Sequence, residues 1–237
     1  MSAIGTRLNS AKAFVFDFLG TLVEIDNDAP SMWETLAELG YDSHVQLQAM
    51  WESDAFDGCL TPRLNGDPDY ESWRANNIQR LVILSKVPGP LVATTVSTLL
   101  EIDRRITVKA VPTANPLLQL LRQHKKKIGL CSNWDYAIKP YLDQANLLAF
   151  DGVAVSAEIG VRKPNEAIFA DICSKLGVHP DDSVFIGDNW STDIVGALRS
   201  GLTPVWIRHG NASSGFSHLV AEFDSLADFD AYLRNLR

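Results

Sequence analysis

From Pro112 onward, short apolar runs alternate with helical stretches, and this alternation leaves few folds open. Helix 114–124 leads to KIGLCSN (Lys127–Asn133), and helix 135–146 to GVAVS (Gly152–Ser156). Helix 165–176 leads to SVFIGD (Ser183–Asp188), and helix 191–200 to TPVWIR (Thr203–Arg208). Strands spaced by helices of about 10–15 residues imply βαβ units. The expected core is therefore α/β: a Rossmann-like, doubly wound parallel sheet with helices on both faces. AFVFDF (Ala13–Phe18) adds a further apolar run that ends at an aspartate. Its unbroken apolarity suits a strand buried on both faces.

Between Pro30 and about Val108 the pattern changes. SMWETLAELG, SHVQLQAMWESDAF, DYESWRANNIQRLVIL and PGPLVATTVSTLLEIDRR all space their apolar residues at helical intervals. Ser and Asp stand at helix starts and Gly40 at a stop. This block predicts an inserted four-helix bundle without strands. The expected division is a core of residues 1–23 and 109–237, with an inserted domain of 24–108. The first ten residues, polar and small, are expected to be loosely ordered.

The chain has 237 residues, 21 Lys and Arg, 29 Asp and Glu, and a formal charge of −8. Such a surface repels nucleic acid and anionic membranes, yet leaves room for a local pocket for a small anion. No apolar run reaches the roughly 18 residues a membrane span needs. MSAIGTRLNSAK lacks the apolar core of a secretory signal. The expectations are a cytoplasmic protein, monomer or homodimer, whose partner is a small anionic substrate, with no nucleic acid and no membrane. Cys59, Cys131 and Cys173 form no CxxC pair and have apolar neighbours, which fits reduced structural thiols.

In open parallel sheets, ligands bind beyond the carboxyl ends of the strands. That rule selects Asp17, Ser132, Ser156 and Asp188. Asp17 ends a buried strand, where a lone carboxylate is costly unless it has a cation, a donor or a chemical task. A carboxylate can serve as a covalent nucleophile in phosphoryl transfer. Gly20 and Thr21 permit a tight turn whose amides can face an anion. Ser132 has two compatible readings, a contact to a phosphate oxygen or a cap for the following helix. Lys163 offers an ammonium to both nucleophile and transferring group; the plainer reading is a solvated lysine. Asp188 and Asp193 present hard oxygen ligands suited to Mg²⁺, although Asp193 also stands where a helix cap would.

These loops resemble, in order and spacing, the four motifs of the haloacid dehalogenase (HAD) superfamily. They are Asp17-Phe18-Leu19-Gly20-Thr21-Leu22, Ser132 closing LCSN, Lys163 in SAEIGVRKPNEAIF, and GDNWSTD with Asp188 and Asp193. The resemblance spans about Ala13 to Gly201. It implies a HAD-like core with a helical, C1-type cap. It implies Asp17 as nucleophile with Lys163 as its catalytic partner. Gly20, Thr21, Ser132 and Asn133 would contact substrate. Mg²⁺ would be held by Asp17, the backbone carbonyl of Leu19, Asp188 and Asp193. The implied reaction is Mg²⁺-dependent hydrolysis of a small phosphorylated metabolite through an aspartyl-enzyme intermediate.

One position departs from the phosphatases of that family. They carry an aspartate two residues after the nucleophile, as acid and base; here Leu19 stands there. Such help is worth roughly 10²–10⁴ in rate. The alternatives are a 2-haloacid dehalogenase, whose halide needs neither proton nor metal, and a non-catalytic relative. Retention of both Asp188 and Asp193 favours the metal-dependent reaction, because uncompensated carboxylates would raise the pKa of Asp17. Glu24, Asp26 and Asp28 are candidate replacement acids, although solvated hinge residues is the weightier reading. Phosphonate hydrolases of the family also carry a non-acidic residue here and use a cap lysine as a Schiff base; Lys86 in the insertion and Lys109 at its edge lie in no recognisable motif. Trp33, Trp51 and Trp73 fit a helical core better than a pocket wall. Hinges are expected near Leu22–Asp26 and Thr107–Thr113.

Overall fold

Strand β1 (Ala13–Phe16) lies at the middle of a six-stranded sheet, and its alternation shows how the fold is built. Phe14 and Phe16 enter one hydrophobic cluster, with Leu117, Leu118, Leu121 and Phe229. Ala13 and Val15 enter a second, with Ile168, Phe169, Ile172 and Leu176. Successive side chains of a strand point to opposite faces, so an unbroken apolar strand needs helices on both. The computed structural model describes residues 3–26, 30–41, 70–134 and 137–235.

The other strands are β4 (Lys127–Ser132), β5 (Gly152–Val155), β6 (Ser183–Gly187), β7 (Thr203–Ile207) and β8 (Ala221–Phe223). The order is β5-β4-β1-β6-β7-β8, and every pairing is parallel. Register places Phe14 opposite Ile128 on one side and Val184 on the other. The chain runs outward from β1 through β4 to β5, then returns to β6 on the opposite side of β1. That reversal makes the carboxyl end of β1 the topological switch point, where such sheets open a crevice.

Helix α1 (Ala3–Ser10) and helices α5 (Ala114–Gln123) and α10 (Leu226–Asn235) contribute to the first cluster. Helices α8 (Glu166–Leu176) and α9 (Val195–Arg199) contribute to the second. The doubly wound parallel sheet is as expected. The loose N-terminus is not: α1 forms because Leu8 is wholly buried against the sheet. Pro164 stands outside α8, which starts after an Asn165 side chain that accepts from the Ala167 amide. Two short helices, α6 (Lys139–Gln144) and α7 (Ser156–Ile159), follow β4 and β5.

Within the insertion, α2 (Met32–Glu38), α3 (Tyr70–Leu84) and α4 (Gly89–Arg104) share their own cluster of Leu36, Ile78, Leu81, Val82, Val87 and Leu99. Ser31 and Glu34 form a reciprocal capping box that starts α2. The helix expected over 43–56 lies outside the described residues, as do Trp51, Cys59, Asp28 and the Trp33 side chain. At the neck, β2 (Val23–Ile25) pairs antiparallel with β3 (Val108–Ala110). This ribbon occupies the segments expected to hinge. It also corrects the expectation of an insertion without strands, since Ile25 and Val108 are partners.

Candidate active site

The carboxyl ends of β1, β4 and β6 bring together residues far apart in sequence. Asp17 follows β1, and its amide donates to the Ile186 carbonyl at 2.8 Å. The Lys163 ammonium lies 2.6 Å from Oδ1 of Asp17 and 2.6 Å from Oδ1 of Asp193. It also sits 5.3 Å from the centre of the Phe185 ring, a favourable cation–π placement. Asp17, Asp188 and Asp193 each offer a carboxylate oxygen, and these oxygens lie within 4.8 Å of one another.

Burial sets the electrostatics. It pushes the Asp17 carboxyl up to about 7, with Lys163 opposing and Asp193 and Asp188 adding to the rise. It likewise pushes Asp188 up to about 7, with Asp193 adding and Lys163 opposing. Burial works against the Lys163 ammonium, but Asp17 and Asp193 outweigh it and hold its pKa above the usual lysine value. Cys131, buried close by, has its thiol pushed up by burial and is held as the neutral form.

Local structure explains how each group is held. Gly20 has φ +87, and a Cβ there would overlap the Asp188 carboxylate. Only glycine lets the turn after β1 close against Asp188 in this conformation. Thr21 is buried, with its hydroxyl 3.5 Å from Asp188. Gly187 plays a matching part, since a Cβ there would overlap Asp193. Asp193 is 1% exposed and sits in a π-helical turn, Trp190–Ile194. Its Oδ2 accepts from the Asn189 amide at 3.1 Å. Isolated π-turns within helices often mark functional sites. The structure splits the expected helix 191–200 into this turn and α9.

Ser132 ends β4 and is buried at the same edge. Asn133, expected among substrate contacts, spends its side chain on Lys163. Its Oδ1 accepts from the Lys163 amide at 2.7 Å, and its Nδ2 donates to the Lys163 carbonyl at 3.0 Å. Ser156 bonds the Trp134 main chain, accepting from its amide at 3.0 Å. Trp134 in turn packs edge-on against Phe18 and Tyr141, at 5.3 and 5.0 Å. Leu19 is half-buried and packs on the first cluster.

Glu24 and Asp26, weighed as replacement acids, are both engaged by Lys109 across the neck ribbon, at 3.5 and 3.1 Å. All three are roughly half exposed. Lys86 is exposed at the end of α3. Trp73 is half-buried against the first cluster, in line with a packing role. One contact is not among the expected ones: His209, two residues past β7, brings Nε2 to 2.7 Å from the Gly20 carbonyl. The rule that selected Asp17, binding beyond the carboxyl ends of parallel strands, also points to His209.

Fold and site together define a doubly wound α/β protein with a buried lysine–carboxylate cluster at its topological switch point and a helical insertion after β1. The chain belongs to the haloacid dehalogenase-like hydrolases, whose family pattern matches residues 11–201. It is similar to the glyceraldehyde 3-phosphate phosphatase of Methanopyrus kandleri, 36% identical over 109 residues, covering 44% of this chain and 45% of that one. The N-acylneuraminate-9-phosphatase of Rattus norvegicus is 45% identical over 147 residues, covering 62% and 48%. The pyrimidine 5'-nucleotidase YjjG of Escherichia coli is 31% identical over 142 residues, covering 58% and 57%. The chain thus spans about half the length of the curated relatives it matches. Among solved structures, a HAD phosphatase from Thermococcus onnurineus superposes with TM-score 0.56 at 22% identity, covering 94% of this chain and 97% of that one. A dehalogenase with an intermediate complex gives TM-score 0.66 at 19% identity, covering 94% and 97%. At such identities the likeness is one of fold. No described helix is long and apolar enough to cross a membrane.

Proposed function

We propose that the protein is a Mg²⁺-dependent phosphatase of small phosphorylated metabolites, with Asp17 as covalent nucleophile. The observation that carries this reading is the cluster of three carboxylates within 4.8 Å around one lysine. Three carboxylates against one ammonium leave two negative charges over, and a divalent cation would balance them. The donor set is all oxygen, which suits Mg²⁺. Asp17, Asp188 and Asp193 would hold the ion, with the Leu19 backbone carbonyl as a further oxygen ligand. Expulsion of halide needs no metal to balance this charge, so the surplus favours the phosphatase reading, and the phosphatase names of the relatives point the same way.

Lys163 holds Asp17 through Oδ1 and so fixes the plane of its carboxylate. Asn133 fixes Lys163 from its main chain. An Asp17 oxygen forms a bond to phosphorus as the bond to the leaving oxygen breaks, giving an aspartyl phosphate. Lys163 balances the charge of the transferring group. Bound Mg²⁺ would supply further charge neutralisation at the phosphoryl oxygens. Water then cleaves the aspartyl phosphate and regenerates Asp17. Leu19 cannot protonate the leaving group, so substrates whose leaving oxygen is weakly basic suit this site best. We assign the helices α2–α4, with residues 24–108, to a cap that covers the site and reads the rest of the substrate.

The test is a screen of phosphorylated metabolites and haloacids with and without Mg²⁺. The reading requires phosphate release that depends on Mg²⁺. Halide release that survives a chelator would replace it with dehalogenation.

A further inference from the structure

His209 stands outside the four motifs, yet it touches the loop that carries the nucleophile. Its Nε2 is 2.7 Å from the carbonyl oxygen of Gly20. A carbonyl oxygen only accepts, so Nε2 carries the proton in this contact. The His209 backbone is left-handed, with φ +48, and Gly210 follows at φ +81. Left-handed backbone is uncommon outside glycine and persists where the surroundings over-determine it. The surroundings here do so. The His209 amide donates to the Asp224 carbonyl at 3.1 Å. Arg208 beside it pairs with the Asp224 carboxylate at 2.6 Å. The segment after β7 is thus tied to the segment after β8, and the tie delivers an imidazole to the turn after β1.

The geometry of that turn gives the contact its meaning. Gly20 is already held by its amide, which donates to the Val23 carbonyl at 2.9 Å. A Cβ on it would overlap the Asp188 carboxylate, so the turn closes tightly there. In a trans peptide the C=O and the next N–H point in opposite directions. A donor that fixes the Gly20 carbonyl therefore fixes the Thr21 N–H on the far side. Hydrogen bonding to a carbonyl also polarises the N–H of the same peptide and strengthens it as a donor.

We propose that His209 is a positioning residue for anion binding: its Nε2–H fixes and polarises the Gly20–Thr21 peptide so that the Thr21 amide is set to receive a substrate phosphate. This rests on the reading of Asp17 as the phosphate-accepting nucleophile.

The test uses inorganic phosphate as probe, titrated into the whole protein in Mg²⁺ by calorimetry. His209→Asn keeps a residue tolerant of left-handed backbone but shortens its reach. His209→Gln keeps an amide donor of longer reach. The expected result is phosphate affinity about tenfold weaker in His209→Asn, largely recovered in His209→Gln, with Mg²⁺ affinity and Tm unchanged in both. Wild-type phosphate affinity in His209→Asn would overturn this proposal alone. A parallel loss of Tm and Mg²⁺ affinity without rescue by Gln would also overturn it, by making the role merely structural. Failure of the wild-type protein to bind phosphate at all would overturn both this and the phosphatase reading.

Discussion

Lys163 donates to Asp17 at 2.6 Å with both side chains buried, 2% and 10% exposed. The same ammonium reaches Asp193 at 2.6 Å. A buried charge stripped of its partner is strongly destabilising, by about 3–5 kcal/mol. Lys163→Met is therefore expected to lose about 3 kcal/mol at pH 8. The loss should be smaller at pH 6, because carboxylates relieved of the ammonium can take up protons. Urea unfolding of metal-free protein at the two pH values measures both, and equal losses would contradict the electrostatic account.

Gly20 and Gly40 make a matched pair for testing the turn against Asp188. Their φ values are +87 and +86, but a Cβ at Gly20 overlaps Asp188, while at Gly40 nothing lies within 4 Å. Gly40→Ala should cost about 1 kcal/mol, the backbone strain alone. Gly20→Ala adds overpacking and should cost about 2–3 kcal/mol. It should also weaken Mg²⁺ by about tenfold or more, since Asp188 must move. Calorimetric titration of Mg²⁺ into the two variants distinguishes strain from displacement.

The pH dependence of the metal-free protein follows from Asp17 and Asp188, both raised to about 7. A carboxyl whose folded pKa lies above its unfolded value of 3.8 binds more protons when folded. Its contribution to stability is complete below the unfolded pKa and is lost as pH rises through about 7. The Tm difference between wild type and Asp17→Asn should therefore shift against wild type from pH 5 to pH 8. Mg²⁺ needs both carboxylates ionised, so the Tm gain on adding it should be larger at pH 8 than at pH 6. A Mg²⁺ effect that grows on acidification would refute this.

On the proposed phosphatase reading, Leu19 stands where an acid would assist departure of the alcohol. Leu19→Asp should raise turnover of phosphate monoesters with basic leaving groups, up to about 10²-fold, the lower end of general acid–base help. It should change turnover of aryl phosphates little. Rates plotted against leaving-group pKa should fall steeply in wild type and less so in the variant. Parallel slopes would mean that another residue already supplies the proton.

Much of the core was legible because a parallel sheet buried on both faces writes itself as dense apolar runs, as at Ala13–Phe16 and Ser183–Gly187. Asp17, Lys163, Asp188 and Asp193 were legible because each closes such a run or stands in a polar loop of recognisable spacing. The neck ribbon was not, since three residues per strand give no measurable period. Nor was α1, whose burial rests chiefly on Leu8. The tail carried a readable signal in Leu226 and Phe229, three apart and both buried in α10, but no motif drew attention to it. Asn133 was read as a substrate contact; its bonds to the Lys163 main chain exist only through tertiary folding. His209 belongs to no motif; its place two residues past a strand end is a weak signal, and only the fold sets it beside Gly20.

The most direct test of the account is chemical trapping at Asp17. Protein mixed with a turned-over phosphate ester in Mg²⁺ is quenched in acid, reduced with borohydride and mapped by mass spectrometry. The account predicts homoserine at position 17, the reduction product of an aspartyl phosphate, and none without substrate. An unmodified position 17 under those conditions, together with undiminished phosphate release by Asp17→Asn, would contradict it.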